Sequence, residues 1–220
     1  DGTKYFVPYK SILEKNTDHV LAIVRSKAGL TLDSINFSCL DGRVLTHEKL
    51  NDSTYKVTLD QFDAEEEAIY AFWRGNKMGK LNVRAYEALE KEVVIVPVNE
   101  ATIGNQSNIE SLLNQKYKQA AVNWLVTIDS NFTNTTWDTN NDGNLANADA
   151  TLMTKYSNEM RALRDAYTDL HPEFDKSKSL LFVVPDFESS STQGYMVRGK
   201  GVGFLSTNPA VKTIAHELGH

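Results

Sequence analysis

The feature that most constrains this chain is a change of hydrophobic period near residue 90. Before it, short segments alternate apolar and polar residues: Ile35/Phe37/Cys39, Tyr55/Val57/Leu59 and Leu81/Val83/Ala85. A period of two sends every second side chain to one face, as in strands buried on one side. Strands are therefore expected over 20–25, 34–40, 43–46, 55–59, 68–73 and 80–86. Asp41-Gly42 signals a tight hairpin, and the stretch from Gly75-Asn76 to Gly79 a longer hairpin loop. Strands at this spacing, with no helical pattern between them, predict an all-β sandwich, immunoglobulin-like in pattern, over residues 1–90. The acidic run 63–67 reads as a solvated turn. No catalytic constellation stands out here, which suits an accessory or pro-domain.

After Glu90 the pattern becomes that of a covered sheet. Residues 92–98 (Glu-Val-Val-Ile-Val-Pro-Val) form a continuous apolar run, expected of a strand buried on both faces. Ser107 and Glu110 have capping-box spacing, and Ile109, Leu112, Leu113, Tyr117, Ala120, Ala121 and Trp124 follow at helical intervals. A strand is expected over 125–132, a second helix along Leu152, Met153, Tyr156, Met160, Leu163, Tyr167 and Leu170 up to His171-Pro172, and a buried strand over 180–184. Alternation of this kind predicts an α/β domain over residues 91–220. The glycine-dotted stretch 194–206 lacks the strand-to-helix setting of a phosphate loop and reads as an edge strand open to another backbone.

Thr213-Ile214-Ala215-His216-Glu217-Leu218-Gly219-His220 contains H-E-x-x-H. Residues four apart share a helix face, so His216 and His220 can offer imidazoles to one zinc ion. Glu217 sits one position round, suited to take a proton from a water beside the metal. Asn208 is the expected N-cap, Pro209 the first helical residue, and Val211, Ile214 and Leu218 the apolar stripe on the other face. Catalytic zinc takes three protein ligands plus water. His19, His47 and His171 are the only other histidines and all precede the motif, so the chain by itself is expected to hold an incomplete, inactive site.

A second metal loop is written in 138–149. Asp138, Asn140 and Asp142 occupy positions 1, 3 and 5 of a calcium-loop template, with Gly143 at 6, the Asn144 carbonyl at 7, Leu145 as an apolar anchor at 8 and Asp149 at 12. Ca2+ in a structural role is expected there, with a solvated Asn/Asp turn as the alternative. The loop resembles those of dockerin modules as well as those of calcium sensors.

The formal net charge of −6 with no Lys/Arg cluster argues against a nucleic-acid partner. No apolar run approaches a membrane span, and no signal-peptide pattern is present within the 220 residues. Cys39, the only cysteine, alternates with apolar neighbours and reads as core. Nothing in the sequence sets an oligomeric state.

On His216-Glu217-Leu218-Gly219-His220 and the order of strands and helices before it, the part from about Glu92 resembles the upper catalytic subdomain of a metzincin-type zinc metallopeptidase. His-Glu-Leu-Gly-His is also found in gluzincins. The resemblance implies a zinc-dependent endopeptidase acting on protein or peptide substrates, secreted or at the cell surface. It implies Glu217 as general base, His216 and His220 as zinc ligands, and Tyr195, Val197, Gly203 and Phe204 along a substrate-holding edge strand. In metzincins the motif runs on to a third histidine and a methionine turn, and this sequence ends at His220. The alternative is a non-enzymatic, calcium-stabilised extracellular binding module in which H-E-x-x-H is vestigial.

Overall fold

The computed structural model describes residues 6–25, 34–63, 65–129, 132–147 and 154–220. Strand dominates over helix, and the strands fall into several sheets. The chain divides into two compact units, Asp1–Leu89 with Lys118–Val122, and Glu90–Tyr117 with Asn123–His220.

The first unit holds β1 (Tyr9–Leu13), β2 (Asp18–Ile23), β3 (Ile35–Cys39), β4 (His47–Lys49), β5 (Thr54–Leu59), β6 (Glu66–Trp73) and β7 (Asn76–Tyr86). They form two sheets, ordered β1-β7-β6-β3 and β2-β5-β4. Inward residues of both sheets, among them Ile12, Phe37, Val57, Leu59, Ile69 and Val83, share one core with Phe62. The alternating triplets supply that core, since Ile35, Phe37, Cys39, Tyr55, Val57 and Leu59 are all buried.

Three segments of the first unit differ from expectation. The strand foreseen over 43–46 shrinks to a single bridge, Ser38 to Val44, and the paired segment is β4. The loop foreseen up to Gly79 is instead a two-residue turn at Arg74-Gly75, with φ of 49° and 80° and Trp73 opposite Asn76. Two left-handed residues give a turn whose twist matches that of its strands, so β7 starts at once. The acidic run is no solvated turn at its end: Glu66 and Glu67 open β6, and Glu67 receives Arg43 Nη2 at 2.5 Å. Unforeseen altogether is β1, which pairs parallel with β7, Tyr9 opposite Asn82.

The second unit is built on β8 (Leu89–Pro97), α1 (Gln106–Tyr117), β9 (Val122–Ile128), α2 (Asn158–Leu170), β10 (Ser179–Val184), β11 (Gly194–Met196), β12 (Val202–Ser206) and α3 (Val211–Leu218). The sheet order is β11-β12-β10-β8-β9. β10 runs parallel to both β8 and β12, and β11 turns back antiparallel to β12. One face of the sheet (Val96, Val98, Phe182, Val184, Phe204) packs on Met160, Leu163 and Tyr167 of α2. Alternation sends Val93, Ile95, Leu181, Val183 and Leu205 to the other face, and all are buried. The continuous apolar runs thus mark strands covered on both sides.

Helix ends depart from expectation where side chains found other partners. Asn105 Oδ1, not Ser107, accepts the Asn108 N–H (3.2 Å), while Glu110 bonds the Val126 N–H (2.9 Å) on β9. α1 ends at Tyr117, a 3-10 turn (Lys118–Ala120) leads to Ala121, whose φ of 55° is left-handed, and Trp124 passes to β9. Ser157 caps α2 by accepting from Met160 N, and His171 closes it. Tyr156 precedes that helix, and the expected start at Leu152 and Met153 lies outside the described residues. For α3 the N-cap is Ala210, without a side-chain cap. Asn208 instead adopts a φ of 49° and donates its N–H to Thr102 O at 2.7 Å. No described helix is long and apolar enough to cross a membrane.

Candidate metal and hydrolytic site

Helix α3 carries His216 and Glu217, and the turn beyond it carries His220. It is amphipathic with Ile214 fully buried, whereas Val211 and Leu218 are only half-buried. The second apolar-face position goes to Glu217, which is 4% exposed. Gly219 N–H bonds His216 O and His220 N–H bonds Glu217 O, both at 3.1 Å, so the last turn tightens to i→i+3 bonding. Two further bonds hold this end. Tyr117 donates its hydroxyl to Ala215 O at 2.7 Å. Gly199, at the left-handed turn between β11 and β12, donates its N–H to His220 O at 3.1 Å.

The two imidazoles meet edge to face, with centroids 4.8 Å apart and planes at 84°. His216 is exposed, while Nε2 of His220 is buried and has no hydrogen-bond partner among the described residues. A buried ring nitrogen with nothing to bond is costly unless a ligand meets it. The unpartnered His220 nitrogen, with the exposed His216 ring 4.8 Å away between centroids, is a donor pair of the kind zinc takes. Burial, with His216 and Arg198 nearby, pushes the His220 pKa down, favouring the neutral imidazole that metal ligation needs. Burial pushes Glu217 up from the usual carboxylate range, opposed in part by His216. A carboxylate that holds its proton more readily is a better base near neutral pH.

Glu217 lies against the edge strand. A Cβ at Gly194 would stand 2.5 Å from its Oε1 and 2.9 Å from its Cδ. Sequence reasoning passed over Gly194 and Tyr117. The only signal for the first was a glycine in a strand, which marks close approach, and for the second there was none.

The substrate residues expected on one edge strand are separated by the fold. The glycine-dotted stretch is two strands, and β12 is internal, between β10 and β11. Phe204 is fully buried and stacks on Phe182 at 5.5 Å, and Gly203 is pressed by Leu181. Neither can touch a substrate. Val197 follows β11 and is 5% exposed. Only Tyr195 stands on the edge strand itself, its hydroxyl donating to Lys155 O at 2.7 Å.

No third ligand joins the pair among the described residues, where the one tight triad of metal-ligating groups is Cys39, Asp41 and Glu67. Arg43 already supplies a cation there, bonding Glu67 and Cys39 Sγ and lying 4.6 Å over Phe62. His171 is engaged by the Tyr167 ring, 4.4 Å away, and by Asp129 at 4.0 Å.

In the second loop the oxygens foreseen as calcium ligands turn onto the loop's own backbone. Asp138 accepts from Asp142 N and Gly143 N, Asn140 from Asp142 N, and Asp142 from Asn144 N. Leu145 is fully buried and bridges to Phe187. Asp149 lies outside the described residues. What holds the loop is Glu159, 2% exposed, which accepts from Thr139 N and Oγ1 at 2.9 Å and from Ala146 N at 2.8 Å. This clasp was not foreseen, since an acidic residue in a first helical turn reads as a dipole partner.

No protein-family model matches the chain, and no curated protein matches it significantly. Among solved structures, an immunoglobulin-domain complex described as the ZIG-8-RIG-5 IG1-IG1 heterodimer is 10% identical, covering 37% of this chain and 84% of its own, with a TM-score of 0.27. A Photobacterium sp. JT-ISH-224 2,6-sialyltransferase is 10% identical over 84% of this chain, with a TM-score of 0.27. A sialyltransferase from Photobacterium damsela is 11% identical over 82%, with a TM-score of 0.25. This chain spans 36% of the length of each sialyltransferase. Likeness at this level carries no weight for fold or activity.

Proposed function

We propose that this chain is the upper part of the catalytic domain of a zinc-dependent endopeptidase, metzincin-like in its order of elements, behind an immunoglobulin-like accessory or pro-domain. The observation that carries the reading is the buried, unpartnered Nε2 of His220, whose ring lies 4.8 Å from that of His216, with Glu217 buried beside them. His216 and His220 would hold zinc, which when bound polarises a scissile carbonyl and acidifies water. Glu217 takes the proton of the attacking water on its carboxylate and returns it to the leaving amine. The open side of β11, at Tyr195, would hold a protein or peptide substrate extended by strand addition. Ca2+ would bind at Asp138, Asn140, Asp142, Asn144 and Asp149 in a structural role, which suits a secreted or cell-surface protein. Zinc content and peptide cleavage of the intact protein test the reading. Glu217→Ala is expected to keep zinc and lose cleavage, and His216→Ala to lose both. Full cleavage by Glu217→Ala overturns it.

A further inference from the structure

Resting on the peptidase reading, the geometry points to Gly194 as the residue that positions Glu217 for proton transfer: the missing Cβ on β11 is the space the carboxylate occupies. We propose that Gly194 is a positioning residue of the reaction and not a requirement of the fold.

Two observations separate these roles. The backbone at Gly194 does not need glycine, because the positive-φ glycines are Gly42, Gly75, Gly143 and Gly199. Gly194 sits in a regular strand, paired with Leu205. An added methyl would meet nothing nearer than Glu217, at 2.5 Å from Oε1, 2.9 Å from Cδ and 3.0 Å from Cγ. These atoms lie toward the end of a flexible side chain, so the collision is relieved by moving the carboxylate, with little change to the backbone. Gly203 provides the contrast. Its added methyl would meet Leu181 Cδ2 at 2.7 Å within the packed sheet, a demand of the core alone.

Ordinary contact begins near 3.4 Å. Restoring it moves Oε1 by about 1 Å, and a shift of about 1 Å at a reacting group costs on the order of 100-fold in rate. The loss falls on kcat, because Glu217 acts on the water and does not bind the peptide.

The test compares the intact, zinc-loaded wild type with Gly194→Ala, Glu217→Asp and the double variant, by zinc content, melting temperature, kcat and KM. Gly194→Ala is expected to keep its zinc and melting temperature, to lose about 100-fold in kcat, and to leave KM in place. Aspartate is one methylene shorter and withdraws from the methyl, so the double variant is expected to be no slower than Glu217→Asp alone. Unchanged kcat in Gly194→Ala, or losses that simply multiply in the double variant, overturn the positioning role while leaving the peptidase reading intact. A wild type with neither zinc nor cleavage overturns both. Should Gly194→Ala fail to fold, the glycine is a fold requirement and the inference is wrong.

Discussion

Glu217→Gln is expected to make the metal-free protein more stable. In the wild type Glu217, a residue 4% exposed, lies between its helix and an edge strand, and no donor in the described residues bonds its carboxylate. Burial is the main cause of its raised pKa. A group whose folded pKa lies above its unfolded one binds more protons in the folded state, so wild-type stability falls as pH rises between the two values. Above that window the full cost of the buried charge is present. Glutamine keeps the shape and removes the charge. Glutamine leaves the group without a partner but uncharged, and charge adds to the cost of about 1–3 kcal/mol that an unsatisfied buried polar group already carries, so a gain on the order of 1 kcal/mol is expected near pH 7. For a unit of this size that is a rise of about 3 °C in melting temperature. The gain should vanish below the ordinary glutamate range, where the wild-type carboxyl is itself protonated. Zinc should narrow it at pH 7, because the cation compensates the carboxylate only in the wild type. Thermal melts of both proteins at several pH values, with and without zinc, read all three effects. Equal melting temperatures at pH 7 without metal would show that Glu217 carries no buried-charge penalty and would refute the reasoning.

Three other perturbations bear on the remaining features. Glu159→Ala removes the acceptor of two loop amides and a hydroxyl, and is expected to cost about 2–4 kcal/mol in urea unfolding and to speed hydrogen exchange at Thr139 and Ala146. Cys39, buried beside Glu67 and pushed up to about 12, is expected to resist alkylation at pH 8 until denaturant opens the first unit. Should the loop bind calcium, a chelator will lower the melting temperature of the wild type and leave that of Asp138→Ala unmoved, since that variant lacks the first ligand of the template.

Much of the fold was readable where a residue's neighbours in sequence decide its environment. The alternating triplets of β3 and β5 bury the residues foreseen, and the two-faced runs of β8 and β10 are the inner strands of the parallel sheet. What escaped depends on distant partners. In β1, Tyr-Lys-Ser-Ile-Leu buries only Ile12 and is held by β7, so it shows no alternation. Ser107 and Glu110 had the spacing of a capping pair, but Glu110 found a better donor in Val126. The edge-strand reading of 194–206 missed the turn around Gly199 that folds the stretch into β11 and β12 and buries Gly203 and Phe204.

The candidate site divides along the same line. His216, Glu217 and His220 sit within one helical turn, so their meeting is a matter of local geometry that spacing alone reveals. The parts that tune them come from elsewhere: Tyr117 on α1 fixing Ala215, Gly199 fixing His220, and Gly194 giving Glu217 its room. Two of these three act through a backbone amide or through the absence of a side chain, and neither leaves a pattern in composition or period. A motif of two histidines and a glutamate therefore specifies which groups are present. Where the carboxylate of Glu217 stands is specified by residues of other elements, and on the proposed reading it is there that reactivity can be altered without touching the motif.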